Sequence, residues 1–363
     1  MSKVINIGIA GTGWIVEKVY IPILTNLSGV KIVSFFEPVE GRRTEMKSKY
    51  QFRQYSFFEN YDDFLQSNID CVIVATPNYT HEELSVKALE KGLDVLCEKP
   101  AALSEKEINR VIEAAKKGHA VYMPGFVNRF RQDVRTVKEL IDSNRIGEIK
   151  EIKAGWLRKG GIPRLGSWFT KKELSGGGVL FDLGSHVLDI CLMLLGTSFK
   201  EREVTLKSVY KNESLRNSAA WFENRESTNN IVMDVESTVF ATIKAQQQNL
   251  KVALSWNAPV KGDCTYFYIN GTKGKIVFRT LFGYSTNKLW EDSSIRLIID
   301  DQPEEVIVNE HTAKNADDAF YEMLSCFVDK VKGKVRKEVC AEDAVRNVCI
   351  IEELYKNERI IDG

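Results

Sequence analysis

The sequence predicts a two-domain α/β chain: an N-terminal parallel sheet covered by helices on both faces, then an α+β domain with a mainly antiparallel, open sheet. Three observations carry this expectation. Strand-like and helix-like segments alternate over the first ~125 residues, as parallel pairing through crossover helices requires. The early strands are apolar throughout rather than alternating, the mark of strands buried on both faces. Later, strand candidates follow one another without intervening helices, which suits antiparallel neighbours. A length of 363 residues also exceeds the roughly 250–300 at which single cores stop growing, so domains are expected at 1–124 and 125–363.

The elements follow in order. Lys3–Ala10 is a β-branched apolar run ending at glycines, and Trp14–Asn26 has helical spacing. Val30–Phe36 is the second strand and Gly41–Tyr50 a charged helix. Cys71–Ala75, Asp94–Cys97 and Ala120–Met123 are short apolar strands. Helices at Thr80–Lys91 and Ser104–Lys117 separate them, ending at Gly92 and Gly118, residues suited to C-caps. Beyond Gly125 come a helix at Gln132–Ser143, a strand at Ile149–Trp156, a Gly/Lys/Arg-rich loop over Arg158–Lys172 and an apolar segment from Gly178 to Leu195. Strands are expected at Glu203–Tyr210, Met233–Lys244, Lys251–Asn257, Thr265–Asn270 and Lys275–Arg279, with a polar excursion over Asn212–Asn230. Helices at Ala316–Lys332 and Ala341–Lys356 close the chain.

Composition narrows the function. Hydrophobic content of 44% and charged content of 28% are those of a globular protein rather than a disordered one. Lys+Arg and Asp+Glu both number 50, so no global charge attracts nucleic acid or an anionic membrane. No nucleic-acid or membrane partner is expected. Apolar runs are strand-sized or broken by charge, and the N-terminus lacks the apolar core of a signal peptide. The seven cysteines form no Cys-x-x-Cys pair. They are expected to be reduced, mostly buried thiols of a cytoplasmic protein, with no metal site.

The first chemistry-bearing motif is Gly8-Ile9-Ala10-Gly11-Thr12-Gly13-Trp14-Ile15-Val16, between the first strand and first helix. Gly11 suits the tight turn, and Gly13 lets backbone approach a pyrophosphate at a helix N-terminus. Gly11, Thr12, Gly13, Trp14 and Ile15 are therefore expected to bind a dinucleotide in a Rossmann domain. Val16 stands where Gly or Ala is usual, which should widen the helix–strand contact. Glu37 ends the second strand, where a carboxylate accepts hydrogen bonds from adenosine ribose hydroxyls and repels a 2′-phosphate. This favours NAD, while Arg42 and Arg43 leave NADP possible.

Three further segments, read with the glycine loop, resemble the glucose–fructose oxidoreductase/inositol dehydrogenase/MocA (Gfo/Idh/MocA) family. They are Ala75-Thr76-Pro77-Asn78-Tyr79-Thr80-His81, Cys97-Glu98-Lys99-Pro100, and Gly176-Gly177-Gly178-Val179-Leu180-Phe181-Asp182-Leu183-Gly184-Ser185-His186-Val187-Leu188-Asp189. The resemblance runs from residue 4 to about 196 and weakly through Asn270–Gly274. It implies an NAD(P)-dependent oxidoreductase acting on CH–OH groups of sugars, inositols or related polyols, working as a homodimer or homotetramer. Thr76, Pro77, Asn78, His81, Glu98 and Lys99 are then expected beside the cofactor. Lys99, Asp182 and His186 become catalytic residues that also touch substrate. Tyr20, where His is frequent, and Val127-Asn128-Arg129-Phe130 depart from the family's pattern.

The implied chemistry suits these residue types. Hydride transfer from a carbinol needs removal of the hydroxyl proton, and histidine is the residue type whose ordinary pKa suits that task, which makes His186 the natural base. Asp182 lies four residues before it, on the same face of a helix. Lys99 can stabilise a developing alkoxide or itself act as base. Secondary substrate candidates are Asn128, Arg129, Arg164 and Trp168, with Arg158 as another anion-binding candidate; the alternative for their loop is simple packing. Of the other histidines, His119 follows a helix-ending glycine and His311 lies in a loop. Two alternative functions stand beside the main one: a redox-neutral, glycosidase- or epimerase-like enzyme with tightly held NAD, and a non-enzymatic dinucleotide sensor.

Overall fold

The computed structural model describes residues 4–51, 53–196, 202–210, 233–245, 247–300, 302–307, 316–333 and 341–362. The expected excursion at Asn212–Asn230, the loop at His311 and Cys340 lie outside them. The chain divides into two compact units, Met1–Val127 with Phe320–Val348, and Asn128–Ala319 with Cys349–Gly363. The sequence placed both closing helices in the second domain; residues 320–348 group with the first instead. Amphipathic spacing reveals that a helix buries one face, not which sheet receives it.

In the first unit, β1 (Ile5–Ala10), α1 (Ile21–Asn26), β2 (Val30–Phe36), α2 (Glu40–Lys49), β3 (Ser56–Phe58), α3 (Tyr61–Phe64) and β4 (Cys71–Val74) are followed by α4 (His81–Glu90), β5 (Asp94–Cys97), α5 (Glu105–Lys117) and β6 (Tyr122–Pro124). The strands form a parallel sheet in the order β3-β2-β1-β4-β5-β6. All residues of β4 and β5 are buried, as their apolar runs required, while Asp94 at the start of β5 accepts from Val121 N (2.7 Å). The order reverses between β1 and β4, and Rossmann sheets bind ligands at the carboxyl ends there.

Local signals set the helices. Ser104 caps α5 by accepting from Glu107 N (3.3 Å), while Glu107 Oε2 accepts from Leu103 N (2.9 Å), a reciprocal arrangement close to a capping box. Ile108, Val111, Ala114 and Ala115 then bury one stripe in a core shared with Val95, Cys97 and Tyr122. Each fully buried aliphatic side chain contributes about 1.5–3 kcal/mol. Ala344 and Val348 join the same core, and Phe320 meets Tyr20 edge to face at 5.8 Å.

The second unit opens with α6 (Gln132–Asp142), β7 (Ile149–Leu157), α7 (Lys172–Ser175) and α8 (Ser185–Leu195). The strands β8 (Arg202–Val209), β9 (Thr238–Ala245), β10 (Gln248–Ser255), β11 (Cys264–Gly271), β12 (Gly274–Thr280), β13 (Ser294–Ile299) and β14 (Glu305–Ile307) follow. After α9 (Ala316–Val331) and α10 (Ala341–Lys356) comes β15 (Glu358–Ile360). Among the described residues the sheet order is β14-β13-β12-β11-β7-β10-β9-β8-β15. Pairs β7–β10 and β8–β15 are parallel and the others antiparallel, as expected in the main.

The helix α8 packs on β7 and β10. By length and composition Lys172–Leu195 suffices to cross a membrane, contrary to the expectation that no apolar run approached that size, yet 83% of its most apolar window is buried in the fold. The opposite sheet face carries Phe240, Ala253, Gly155 and Tyr266 side by side across β9, β10, β7 and β11. Gly155 is required there, because a Cβ would come within 2.7 Å of the Tyr266 ring.

Candidate active site

In the first unit, predicted residues gather at the carboxyl ends of β1, β2, β4 and β5. Gly11 has φ +94°, its N–H donates to Phe36 O (2.8 Å), and a Cβ would fall 2.5 Å from Ala75 O. Only glycine passes there. An added Cβ at Gly13 meets nothing within 4 Å, so internal packing does not account for this glycine, whereas close approach of a phosphate does. Helical structure begins at Trp14 and continues through Ile15 into a π turn over Val16–Tyr20. Val16 is fully buried at the start of that wider turn.

Glu37 is buried. Its Oε2 accepts from Thr12 Oγ1 (2.6 Å) and Arg42 Nε (3.2 Å), and its Oε1 from Val39 N (3.1 Å). Arg42 also donates to Thr12 Oγ1 (3.1 Å) and to the Thr12 carbonyl. Arg43 donates to Glu37 O (2.8 Å), Pro38 O (2.7 Å) and Glu59 (2.7 Å). The two arginines that left NADP open are thus engaged with the glycine loop and the end of β2.

Beyond β4, the Thr76 and Thr80 hydroxyls lie 2.6 Å apart, and Pro77 precedes the buried Asn78. His81 is also buried, with Nδ1 2.8 Å from Pro100 O and Nε2 2.8 Å from Thr76 O. Burial opposes charge on the ring, but Cys97 and the two carbonyls outweigh it and raise the pKa to about 9. Both nitrogens face acceptors, so His81 donates twice as an imidazolium, tying the loop after β4 to the turn after β5. The sequence placed His81 beside cofactor; the structure gives both its nitrogens to backbone. That turn carries the cis Lys99–Pro100 bond. Glu98 accepts from the buried Tyr20 hydroxyl and, through Oε2, from Lys99 N (3.1 Å).

In the second unit, Asp182 lies in a π turn over Leu180–Gly184, and His186 in the first turn of α8. Trp256 Nε1 donates to Asp182 Oδ2 (2.9 Å). The Trp156 ring stands 5.8 Å from the His186 ring, and the Arg158 guanidinium 5.3 Å from the Trp156 ring. Burial lowers the Arg158 pKa, opposed by the carboxylates of Asp182 and Asp263. Asp182, His186, Trp156, Trp256 and Arg158 therefore form one group, with a carboxylate and an imidazole among aromatic rings and a buried guanidinium. Lys99 belongs to the other unit.

The secondary candidates are held by the protein itself. Arg129 makes a bidentate ion pair with the buried Asp189 of α8 (2.8 and 2.5 Å), and Asn128 is buried. Trp168 stacks on Phe169 at 3.9 Å, which covers one face of its ring. Arg164 adopts φ +35° in the same loop. Sequence reasoning missed Trp156, Trp256 and Glu236. The tryptophans gave one usable signal: indole donors on or beside strands that flank the helix carrying His186.

A parallel sheet in this order, with an open glycine turn after β1 and a buried carboxylate after β2, defines a dinucleotide-binding fold. Residues 5–126 match the model of an oxidoreductase family with an NAD-binding Rossmann fold, and residues 134–277 match the Gfo/Idh/MocA C-terminal domain. The chain belongs to the Gfo/Idh/MocA family of NAD(P)-binding oxidoreductases. A putative UDP-kanosamine synthase oxidoreductase subunit from Amycolatopsis mediterranei is 28% identical over 283 residues, 77% of this chain and 76% of that protein. D-glucoside 3-dehydrogenase from Escherichia coli is 31% identical over 199 residues, 54% of this chain and 55% of the enzyme. A levoglucosan dehydrogenase solved with NADH and levoglucosan shares the fold with TM-score 0.76 at 21% identity, covering 97% of this chain and 96% of that one.

Proposed function

We propose that the protein is a cytoplasmic dehydrogenase or reductase that moves a hydride between NAD and a hydroxyl-bearing carbon of a sugar, inositol or related polyol. The observation that carries this reading is the Asp182–His186 pair, with Asp182 fixed by the Trp256 indole and His186 beside Trp156. Bound nicotinamide supplies the hydride acceptor or donor. Gly11, Thr12, Gly13, Trp14 and Ile15 receive the pyrophosphate, and Glu37 the adenosine ribose. Thr76, Pro77 and Asn78 line the nicotinamide ribose region. His186 takes the hydroxyl proton, Lys99 donates to the reacting oxygen, and Asp182 binds a neighbouring hydroxyl. The relatives named above support a carbohydrate substrate, and Glu37 favours NAD over NADP.

Reduced thiols support the cytoplasmic assignment. The six described cysteines are free, and burial pushes the Cys71 and Cys191 thiols up, away from reactivity. Balanced charge fits a small-solute enzyme without nucleic-acid or membrane partners. The sheet face bearing Phe240, 49% exposed, and the stacked Tyr266–Tyr268 pair supports a homodimer or homotetramer joined through that face.

The test is a screen of inositols, aldoses, uronic acids and aminosugars against NAD and NADP, reading the absorbance of reduced nicotinamide. Net NADH formation, faster with NAD, is expected. Substrate conversion without net NADH would instead support the redox-neutral alternative.

A further inference from the structure

We infer that Glu236 is a positioning residue for proton transfer, fixing the entry of the helix that carries Asp182 and His186. This rests on the reading of that pair as the acid–base groups of the site. The first N–H groups of a helix have no carbonyl of their own helix to bond, and usually a side chain just before the helix receives them. Here the acceptor lies more than fifty residues further along the chain. Glu236 Oε2 accepts from Gly178 N (2.9 Å), Oε1 from Leu180 N (3.0 Å), and the Glu236 carbonyl from Val179 N (3.0 Å). One fully buried residue thus receives three consecutive N–H groups.

The Tyr355 hydroxyl completes the arrangement by donating to Oε1 (2.7 Å). Burial pushes the Glu236 carboxyl up, opposed by the Leu180 N–H, the Tyr355 hydroxyl and the Gly178 N–H. Two glycines of the Gly176-Gly177-Gly178 run gain a reason from this contact. A Cβ on Gly178 would lie 2.0 Å from Glu236 O, and one on Gly177 would lie 2.0 Å from the Tyr355 hydroxyl oxygen. Gly178 O in turn accepts from Asp182 N (3.0 Å), so the set of the entry passes directly to the catalytic carboxylate. His186 follows one turn later.

Glu236→Gln tests the inference, because the amide offers one acceptor and turns an N–H donor toward a backbone N–H. With the polyol or sugar oxidised fastest in the screen, kcat is expected to fall about 10- to 100-fold, the scale of a misplaced catalytic group. The NADH dissociation constant is expected to stay within about two-fold, since the residues proposed to bind it lie in the other unit. Amide hydrogen exchange over residues 176–186 should quicken while residues 5–126 keep their protection. Tyr355→Phe keeps both carboxylate oxygens on backbone and retains the ring against Phe181; it should lower kcat by less than about five-fold. Unchanged kcat and exchange in Glu236→Gln would overturn the inference, as would loss of NADH binding and of protection in both units together. If Glu236→Gln does not fold, Tyr355→Phe decides through local exchange over 176–186, and unchanged exchange there overturns the inference. A His186→Ala control with full turnover would overturn the acid–base reading and the link to chemistry, while exchange would still report whether Glu236 holds the helix entry.

Discussion

Each unit begins a site helix with a π turn, Val16–Tyr20 in the first and Leu180–Gly184 in the second, and the two turns are put to different use. Such turns are rare and recur at functional sites. The first follows the glycine loop and ends at Tyr20, whose hydroxyl reaches Glu98 beside Lys99. It reaches a proposed catalytic residue only through a neighbour. The second contains Asp182 itself. The contrast extends to the supports. Around the glycine loop, Gly11 donates to Phe36 O and Thr12 to Glu37, both at the end of the adjoining strand β2. The helix of Asp182 and His186 is gripped by Glu236, Trp256 and Arg129, each drawn from a distant part of the chain. The proposed nucleotide cradle is assembled mainly from strand ends and turns, whereas the proposed acid–base helix draws on tertiary anchors that hold its two side chains in register.

The largest expected effect comes from removing Lys99, the cation proposed to act at the reacting oxygen. Lys99→Ala should lower kcat by about 10²–10⁴-fold, the usual worth of a proton-transfer or polarising group, with NADH affinity retained. Steady-state kinetics beside NADH fluorescence titration separates the two, and full activity would remove Lys99 from the chemistry. Trp256→Phe deletes one hydrogen bond to a carboxylate, worth about 1.5–3 kcal/mol, so kcat should drop about 10- to 100-fold if Asp182 needs that anchor. An unaltered rate would mean that the second unit's anchors matter less than the contrast holds.

Smaller effects are expected in the cradle. Glu37→Ser removes the carboxylate that Thr12 and Arg42 share, and kcat/KM should shift about ten-fold toward NADP. Initial rates with both nucleotides test this; an unchanged ratio would assign nucleotide choice elsewhere. His81 gives a pH dependence. Its folded pKa of about 9 lies above the ordinary 6.5, so the stability it contributes is complete below about pH 6.5 and lost as pH rises through 9. The difference in melting temperature between wild type and His81→Leu should therefore be widest near pH 6 and narrow by pH 10, reflecting on the order of 3 kcal/mol. A difference independent of pH would exclude the doubly donating imidazolium.

Legibility in the sequence followed the same division. The Gly11–Gly13 turn, Glu37 and the apolar strands β4 and β5 announce themselves because their constraints act within a few residues. Of the three-residue strands, the buried, apolar β6 was legible, but the more exposed β3, β14 and β15 were too short to show a period, and β13, with apolar Ile295 and Leu297, was not anticipated either. Neither π turn has a residue signature. Arg129 was expected to meet substrate but pairs with Asp189, a partner 60 residues on that nothing in its own segment indicates. Glu236 stood unnoticed near an apolar strand, since an isolated acid acquires meaning only when the fold brings Gly178 and Leu180 to it.

His186→Ala, assayed for net NADH formation on the best polyol or sugar with NADH affinity measured on the same preparation, tests the central claim most directly. A fall in kcat of about 10²–10⁴-fold with affinity unchanged is the predicted result. A normal rate would contradict the assignment of proton transfer to the helix that Glu236, Trp256 and Arg129 hold in place.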